Sequence, residues 1–252
     1  LLNRGAKVRT HTHNRPLNVV DDRIEVLENL DLEKFDDCMK LVDGSDYIVH
    51  SAGKICHPSD VPTDFKIAKS QISLVSNLLE SGNKCGVKGF LDINSDMKIS
   101  IARGTAMFGP WDNFDTKTCH VIPALIHRVL QDENPFVVWG SPDVVRDFLY
   151  VKDVVKGALL ILEKGESMRP YNLGYGSTVT IGNIVDTILN VTGKNPKVEW
   201  DNSKPTTIPY RMVSTDRISK ELGFQPDYSF EEGIRETIEW YKEFLFNSVV
   251  YQ

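Results

Sequence analysis

Lys98 to Arg128 reads KISIARGTAMFGPWDNFDTKTCHVIPALIHR. Ile99-Ser100-Ile101-Ala102 has the pattern of a short apolar strand. The pattern breaks at Arg103-Gly104, turns through Phe108-Gly109-Pro110 and re-enters a helix near His120. There Val121, Ile122, Leu125, Ile126 and Val129 recur with the spacing of one buried helical face. A buried strand that runs into a polar, glycine-containing loop is where open parallel sheets place their ligands.

Upstream of this stretch, strand and helix alternate. Residues 1–5 have the look of a last helical turn stopped by Gly5. Strands are expected at Lys7–Thr10, Val26–Leu32, Tyr47–His50 and Val87–Ile93, with helices over Glu33–Val42 and Thr63–Leu79. This rhythm predicts βαβ units and a parallel sheet. Downstream, strands are expected at Phe136–Trp139, Arg146–Val151, Tyr171–Leu173 and Lys197–Trp200. Asp153 stands where it could cap a helix ending at Gly165, and Thr180 where it could cap one ending at Gly193. Ser229 and Glu232 form a capping box for a last helix that should bury Ile234, Ile238 and Tyr241. The expected fold is α/β, a doubly wound parallel, Rossmann-like sheet with a smaller mixed α/β domain.

The chain has 252 residues, with 29 Lys and Arg against 35 Asp and Glu, a net charge of −6. Nucleic-acid and membrane-surface partners, which select basic faces, are therefore not expected. No apolar run is long enough to span a bilayer, and the first residues lack a signal-peptide pattern. Cys38, Cys56, Cys85 and Cys119 show no C-x-x-C spacing, so they read as free thiols of a reducing cytoplasm. His11 and His13 have no third ligand beside them in the pattern, so no metal is expected.

Two features do not fit a complete sheet of this kind. A dinucleotide domain opens with a strand and a Gly-rich turn whose N–H groups hold the pyrophosphate. No G-x-x-G-x-x-G stands in the sequence, and Leu1 falls where the helix after such a turn would end. Gly89–Ile93 and Lys98–Ala102 both read as buried parallel strands, yet only Asn94, Ser95, Asp96 and Met97 separate them. Parallel neighbours need a crossover of roughly a dozen residues or more. The expectation is that a segment belonging between Ser95 and Asp96 is absent from this sequence. The alternative is a degenerate chain that has lost it.

FGPWDNF followed by CHVIPALIHR, together with VVWGSPDVVRDFLYVKDV, YNLGYGSTVTIGNIV and DNSKPTTIPYR, resembles the extended short-chain dehydrogenase/reductase family. That family holds the nucleotide-sugar epimerases, dehydratases and reductases, and the similarity is greatest to its GDP-L-fucose synthase branch. The resemblance implies a dinucleotide-binding domain over residues 1–110 and 147–175, and a nucleotide-sugar-binding domain over 111–146 and 176–252. It implies a nucleotide-sugar substrate, an NAD(P) cofactor and a homodimer. It makes Ser95 the triad Ser, whose hydroxyl would bond the reacting sugar oxygen. The Tyr-x-x-x-Lys pair that completes the triad matches no residue here.

On the same resemblance, His120 is a catalytic acid/base that also contacts the cofactor, a role suited to an imidazole. Arg128, Trp139, Arg146 and Arg211 form the substrate grip: guanidinium forks suit a diphosphate, and a flat indole suits a base or sugar. Arg211 stands where the fucose synthases have Lys. Gly104, Thr105, Ala106 and Met107 match the loop at the nicotinamide, where small residues allow close approach. Ser51, Ala52 and Gly53 match the ribose side, and Asp31 and Leu32 the adenine. After the first strand an NAD site would carry an acid for the ribose 2′-OH. The run Arg9-Thr10-His11-Thr12-His13-Asn14-Arg15 has none and holds two arginines, which favours NADP(H), with Arg15 at the 2′-phosphate. A merely basic surface loop is the rival. The implied reaction epimerises a 4-keto-6-deoxy hexose and reduces it with NADPH. A 4-epimerase, a 4,6-dehydratase and an inactive nucleotide-binding relative are the alternatives.

Overall fold

The computed structural model describes residues 2–13, 17, 21–50, 65–87, 100–204 and 208–250, without the side chains of 4, 65–72 and 247–250. The chain divides into two compact units, Leu1–Ser100 with Glu166–Arg169, and Ile101–Gly165 with Pro170–Gln252. The functional division expected from the sequence follows other boundaries.

In the first unit a 3-10 turn, Leu2–Arg4, stops at Gly5, whose φ of 78° suits a residue without Cβ. Strand β1 (Val8–His11) pairs in parallel with β2 (Ile24–Leu27), from Val8 opposite Ile24 to His11 opposite Leu27. The second strand therefore starts earlier than its apolar pattern suggests, because the ladder rather than the pattern sets its ends. Helix α1 (Phe35–Val42) follows, then α2 (Phe65–Lys84). The latter runs past the expected end at Leu79, through Ser81 and Gly82, to Lys84. Ser81 is buried with its hydroxyl donating to Leu78 O at 3.1 Å, and a Cβ on Gly82 would lie 3.1 Å from Ile48 Cδ1. Small residues let the helix stay close to its neighbours there. Leu32, Cys38, Val42, Leu78 and Val87 form this unit's core. The expected strands at Val87–Ile93 and Lys98–Ala102, and the junction of Ser95 with Asp96, lie wholly or partly outside the described residues.

In the second unit β3 (Ile101–Gly104) pairs in parallel with β8 (Pro170–Leu173), and β4 (Ala106–Phe108) with β7 (Phe148–Tyr150). The expected break at Arg103-Gly104 is thus corrected. Both residues belong to a strand, and Thr105 N–H extends the ladder to Leu173 O at 3.0 Å. Partners far along the chain decide this, Asn172 opposite Arg103 and Leu173 opposite Gly104. Helix α3 (Val121–Leu130) buries Ile122, Leu125, Ile126 and Val129, as its spacing predicts. Strand β5 (Phe136–Trp139) pairs in parallel with β10 (Val198–Asp201). The single strand expected over Arg146–Val151 is divided at Asp147 into β6 (Val145–Arg146) and β7. Strand β6 lies between β11 (Tyr210–Arg211), parallel to it, and β9 (Val179–Thr180), antiparallel.

Helix α4 (Val151–Lys164) begins after Tyr150, and no side chain caps it. Asp153 is not its cap. It is 1% exposed and accepts from the backbone N–H groups of Asp227 and Tyr228 at 2.8 and 3.2 Å, tying a distant loop to the helix. Helix α5 (Ile181–Thr192) is capped as expected, with Thr180 Oγ1 accepting from Asn183 N–H at 3.1 Å and Gly193 at φ 68°. After α6 (Asp216–Leu222), Ser229 and Glu232 exchange the hydrogen bonds of a capping box, and α7 (Phe230–Val250) buries Ile234, Ile238 and Tyr241. Phe108, Ile126, Phe136, Tyr150, Ile184 and Ile188 join those three in the main core, and Leu149, Ile161, Leu173 and Ile218 form a second one. Among the described residues no helix is long and apolar enough to cross a membrane.

Candidate active site in the second unit

A cavity of about 1330 Å³ opens in the second unit, at the ends of β3, β5 and β6 and the start of α3. Nine residues singled out from the sequence line it: Gly104, Thr105, Ala106, Met107, His120, Arg128, Trp139, Arg146 and Arg211. They come from six elements or their junctions, so the fold and not the chain brings them together.

The two strand arginines meet by register. Arg146 on β6 is the ladder partner of Arg211 on β11. Like charges placed side by side on a sheet repel and destabilise it. The Arg146 pKa is lowered, first by burial and then by the Arg211 charge. An anion between them would relieve both. Arg146 Nη1 also donates to Val145 O at 2.6 Å.

Arg128 arrives from the last turn of α3 and is already engaged. Its Nε donates to Glu133 Oε2 at 2.6 Å, its Nη2 to Glu133 Oε1 and, at 2.5 Å, to Val137 O. The guanidinium lies over the Phe136 ring, 4.9 Å from its centroid. The Arg128 fork pulls the Glu133 carboxyl below its ordinary pKa. Trp139 ends β5 with 68% of its surface exposed, and Lys204 Nζ sits 5.5 Å from the ring centroid. A flat, exposed indole at a cavity rim is a stacking platform.

His120 is the N-cap residue of α3, extended at φ −81°, ψ 174°. Two carboxyls that the sequence did not single out share the wall with it. Asp112 Oδ1 accepts from Asn113 N–H at 2.7 Å, while its buried Oδ2 has no hydrogen-bond partner among the described residues. Burial raises the Asp112 pKa, and the nearby His120 pulls it back in part. Asp147 is 3% exposed and accepts from Tyr175 N–H at 3.0 Å, and burial raises its pKa as well. It lies against Gly174, where a Cβ would come within 2.7 Å of Asp147 Oδ2 and 2.9 Å of Thr105 Cγ2. Buried, perturbed carboxyls in a cleft are a signal of function, but isolated Asp residues in sequence carry no such mark.

In the first unit, Asp31 opens the turn before α1, with Oδ1 accepting from Glu33 N–H at 3.0 Å. The Leu32 side chain is in the core, and its carbonyl accepts from Cys38 Sγ and Asn77 Nδ2. Arg9 is held by Glu25 at 2.8 Å and by the carbonyls of Leu41 and Asp43. Arg15, Ser51, Ala52, Gly53 and Ser95 lie outside the described residues.

A model of the NAD dependent epimerase/dehydratase family matches residues 1–97 and 92–174. The chain belongs to that family. The two matched stretches overlap at 92–97, around Ser95 and Asp96. A GDP-L-fucose synthase of Escherichia coli (strain K12) is 34% identical over 152 residues, 55% of this chain and 47% of that protein. GDP-L-fucose synthase 1 of Arabidopsis thaliana is 31% identical over 141 residues, 54% of this chain and 43% of that one. The chain thus spans about half the length of the curated relatives it matches. Among solved structures, a UDP-glucose 4-epimerase of Thermotoga maritima with UDP-glucose superposes with a TM-score of 0.83 at 20% identity, covering 97% of this chain and 93% of that one. A GDP-L-fucose synthetase of Naegleria fowleri gives a TM-score of 0.72 at 20% identity, with coverage of 87% and 86%. These likenesses show the Rossmann-like α/β fold of the family.

Proposed function

We propose that this family member is an NADP(H)-dependent nucleotide-sugar enzyme of the GDP-L-fucose synthase kind. It would epimerise a 4-keto-6-deoxy hexose attached to a nucleoside diphosphate and then reduce its keto group. The observation that carries this reading is the Arg146–Arg211 pair, two like charges set side by side in the wall of a large cavity that also holds His120 and Trp139. A diphosphate satisfies such a pair bidentately. The fucose synthases among the relatives support the choice within the family.

In this reading Arg146 and Arg211 hold the diphosphate and Trp139 stacks on the base or sugar. His120 moves protons at the carbons beside the keto group, work for which an imidazole is suited. Asp112, with one buried carboxyl oxygen unsatisfied, shares that end of the cavity. Ser95 would bond the reacting oxygen. The cofactor supplies hydride when bound. Gly104 to Met107 would receive its nicotinamide end: three of the four side chains are small, and the run lies in the cavity wall. The division into a cofactor domain (1–110, 147–175) and a sugar domain (111–146, 176–252) belongs to the same proposal. Cys38, Cys85 and Cys119 are free thiols, which supports a reducing cytoplasm, and a homodimer is the expected assembly.

The test is to incubate the intact natural protein with a GDP-linked 4-keto-6-deoxy hexose and follow NADPH absorbance and the sugar product. Consumption of NADPH with inversion at the epimerised carbons is expected. Reduction without inversion would leave a simple reductase, and failure to bind any nucleoside diphosphate would overturn the proposal.

A further inference from the structure

We infer that Glu133 is a positioning residue of the nucleotide-sugar grip, acting through Arg128. This deepens the proposed function and rests on it. Arg128 has five N–H donors in one plane. Glu133 takes Nε–H and one Nη2–H as a fork, and Val137 O takes the other Nη2–H at 2.5 Å. The Phe136 ring packs against the flat face of the group. Among the described residues three donors and one face are therefore spent on the protein and Nη1 makes no hydrogen bond, which leaves its two hydrogens for a ligand. Arg128 and Glu133 both line the cavity that holds Arg146, Arg211 and Trp139.

Glu133 can act on binding in two opposite ways, and charge alone favours the wrong one. As a competitor it would neutralise Arg128 and repel a diphosphate, so its removal would strengthen binding. As a positioning group it fixes a long, flexible side chain before the ligand arrives, so its removal would weaken binding although the site becomes more positive. The fork, the carbonyl and the ring together hold the Arg128 guanidinium along one edge and one face, which is the arrangement of preorganisation rather than of competition. Orienting one rotamer-rich side chain is worth about a three- to tenfold change in affinity.

The experiment is calorimetric titration of GDP, without cofactor, into the intact wild-type protein and into Glu133→Gln, Arg128→Lys and the double variant, with melting curves for each. Glu133→Gln should weaken GDP binding by about three- to tenfold, the cost of one unfixed side chain. Arg128→Lys, which keeps the charge but cannot make the fork, should lose a similar amount. The double variant should be no weaker than the worse single one, because the two residues act as a unit. Equal or tighter GDP binding by Glu133→Gln overturns the positioning role while leaving the proposed function standing. A wild-type protein that binds neither GDP nor UDP overturns both.

Discussion

Arg146 is the residue on which the site turns. Its strand is two residues long, and the ladder to β11 sets it in register with Arg211. Replacing it with Ala should weaken binding of a GDP-sugar by about 2–4 kcal/mol, the scale of a lost charge-assisted pair in a cleft. Titration of the variant checks this, and NADPH affinity should barely change. Unchanged GDP-sugar binding would mean that the diphosphate sits elsewhere. The motif RDFLYV made Arg146 visible in sequence. Glu133 was not visible, because it meets Arg128 only through the turn that ends α3. Asp147 was hidden for a related reason: its partner, Tyr175, lies 28 residues away.

Elements are joined by a few polar contacts that carry pH dependence. The junction of β7 with α4 is held to α7 by Glu236, whose Oε2 accepts from Tyr150 OH at 2.5 Å and from Lys152 Nζ at 2.6 Å. The Lys152 contact first, then that of Tyr150, lowers the Glu236 pKa below the ordinary carboxylate value. A carboxyl depressed in the folded state binds fewer protons there than in the unfolded chain. Its stabilising effect is therefore full above the unfolded pKa and is lost as pH falls through the folded one. The melting temperature of Glu236→Gln should lie below that of the wild type at neutral pH, and the two should converge in acid. A gap that stays constant down to low pH would show that the ionised form is not what stabilises the junction.

At the scale of the whole molecule the open matters are cofactor choice and the chain itself. Sequence pattern offered Arg9 and Arg15 as the reason for preferring NADP(H). Arg9 is spent on Glu25 and on the carbonyls at the end of α1. Arg9→Ala should therefore leave the ratio of NADPH to NADH affinity unchanged, whereas Arg15→Ala should reduce it. Parallel fluorescence titrations with both nucleotides decide the matter, and a fall in the ratio for Arg9→Ala would return that residue to the site. The second prediction concerns the junction at Ser95. Tryptic digestion of the natural protein should not yield the peptide GFLDINSDMK, residues 89–98, because a crossover segment is expected within it. Its recovery would join the two halves directly and favour a catalytically inactive family member.

What the sequence determined by itself was local or periodic. The buried faces of α3 and α7, the Thr180 cap with its Gly193 stop, and the Ser229–Glu232 box all follow from residues within one or two helical turns. Family motifs added nine residues that prove to share one cavity. Tertiary structure alone decided the rest. Arg103 and Gly104 became strand because β8 offered a ladder, and the Asp153 carboxylate, in the first turn of α4, holds the backbone of Asp227 and Tyr228 instead of capping the helix. It also assigned the arginines their partners, with Arg9 on Glu25, Arg128 on Glu133 and Arg146 in register with Arg211. The physical reason is range. Caps and periodic faces are satisfied within a few residues, whereas strand pairing and charge pairing take their energy from groups that only the folded chain brings within a few ångströms.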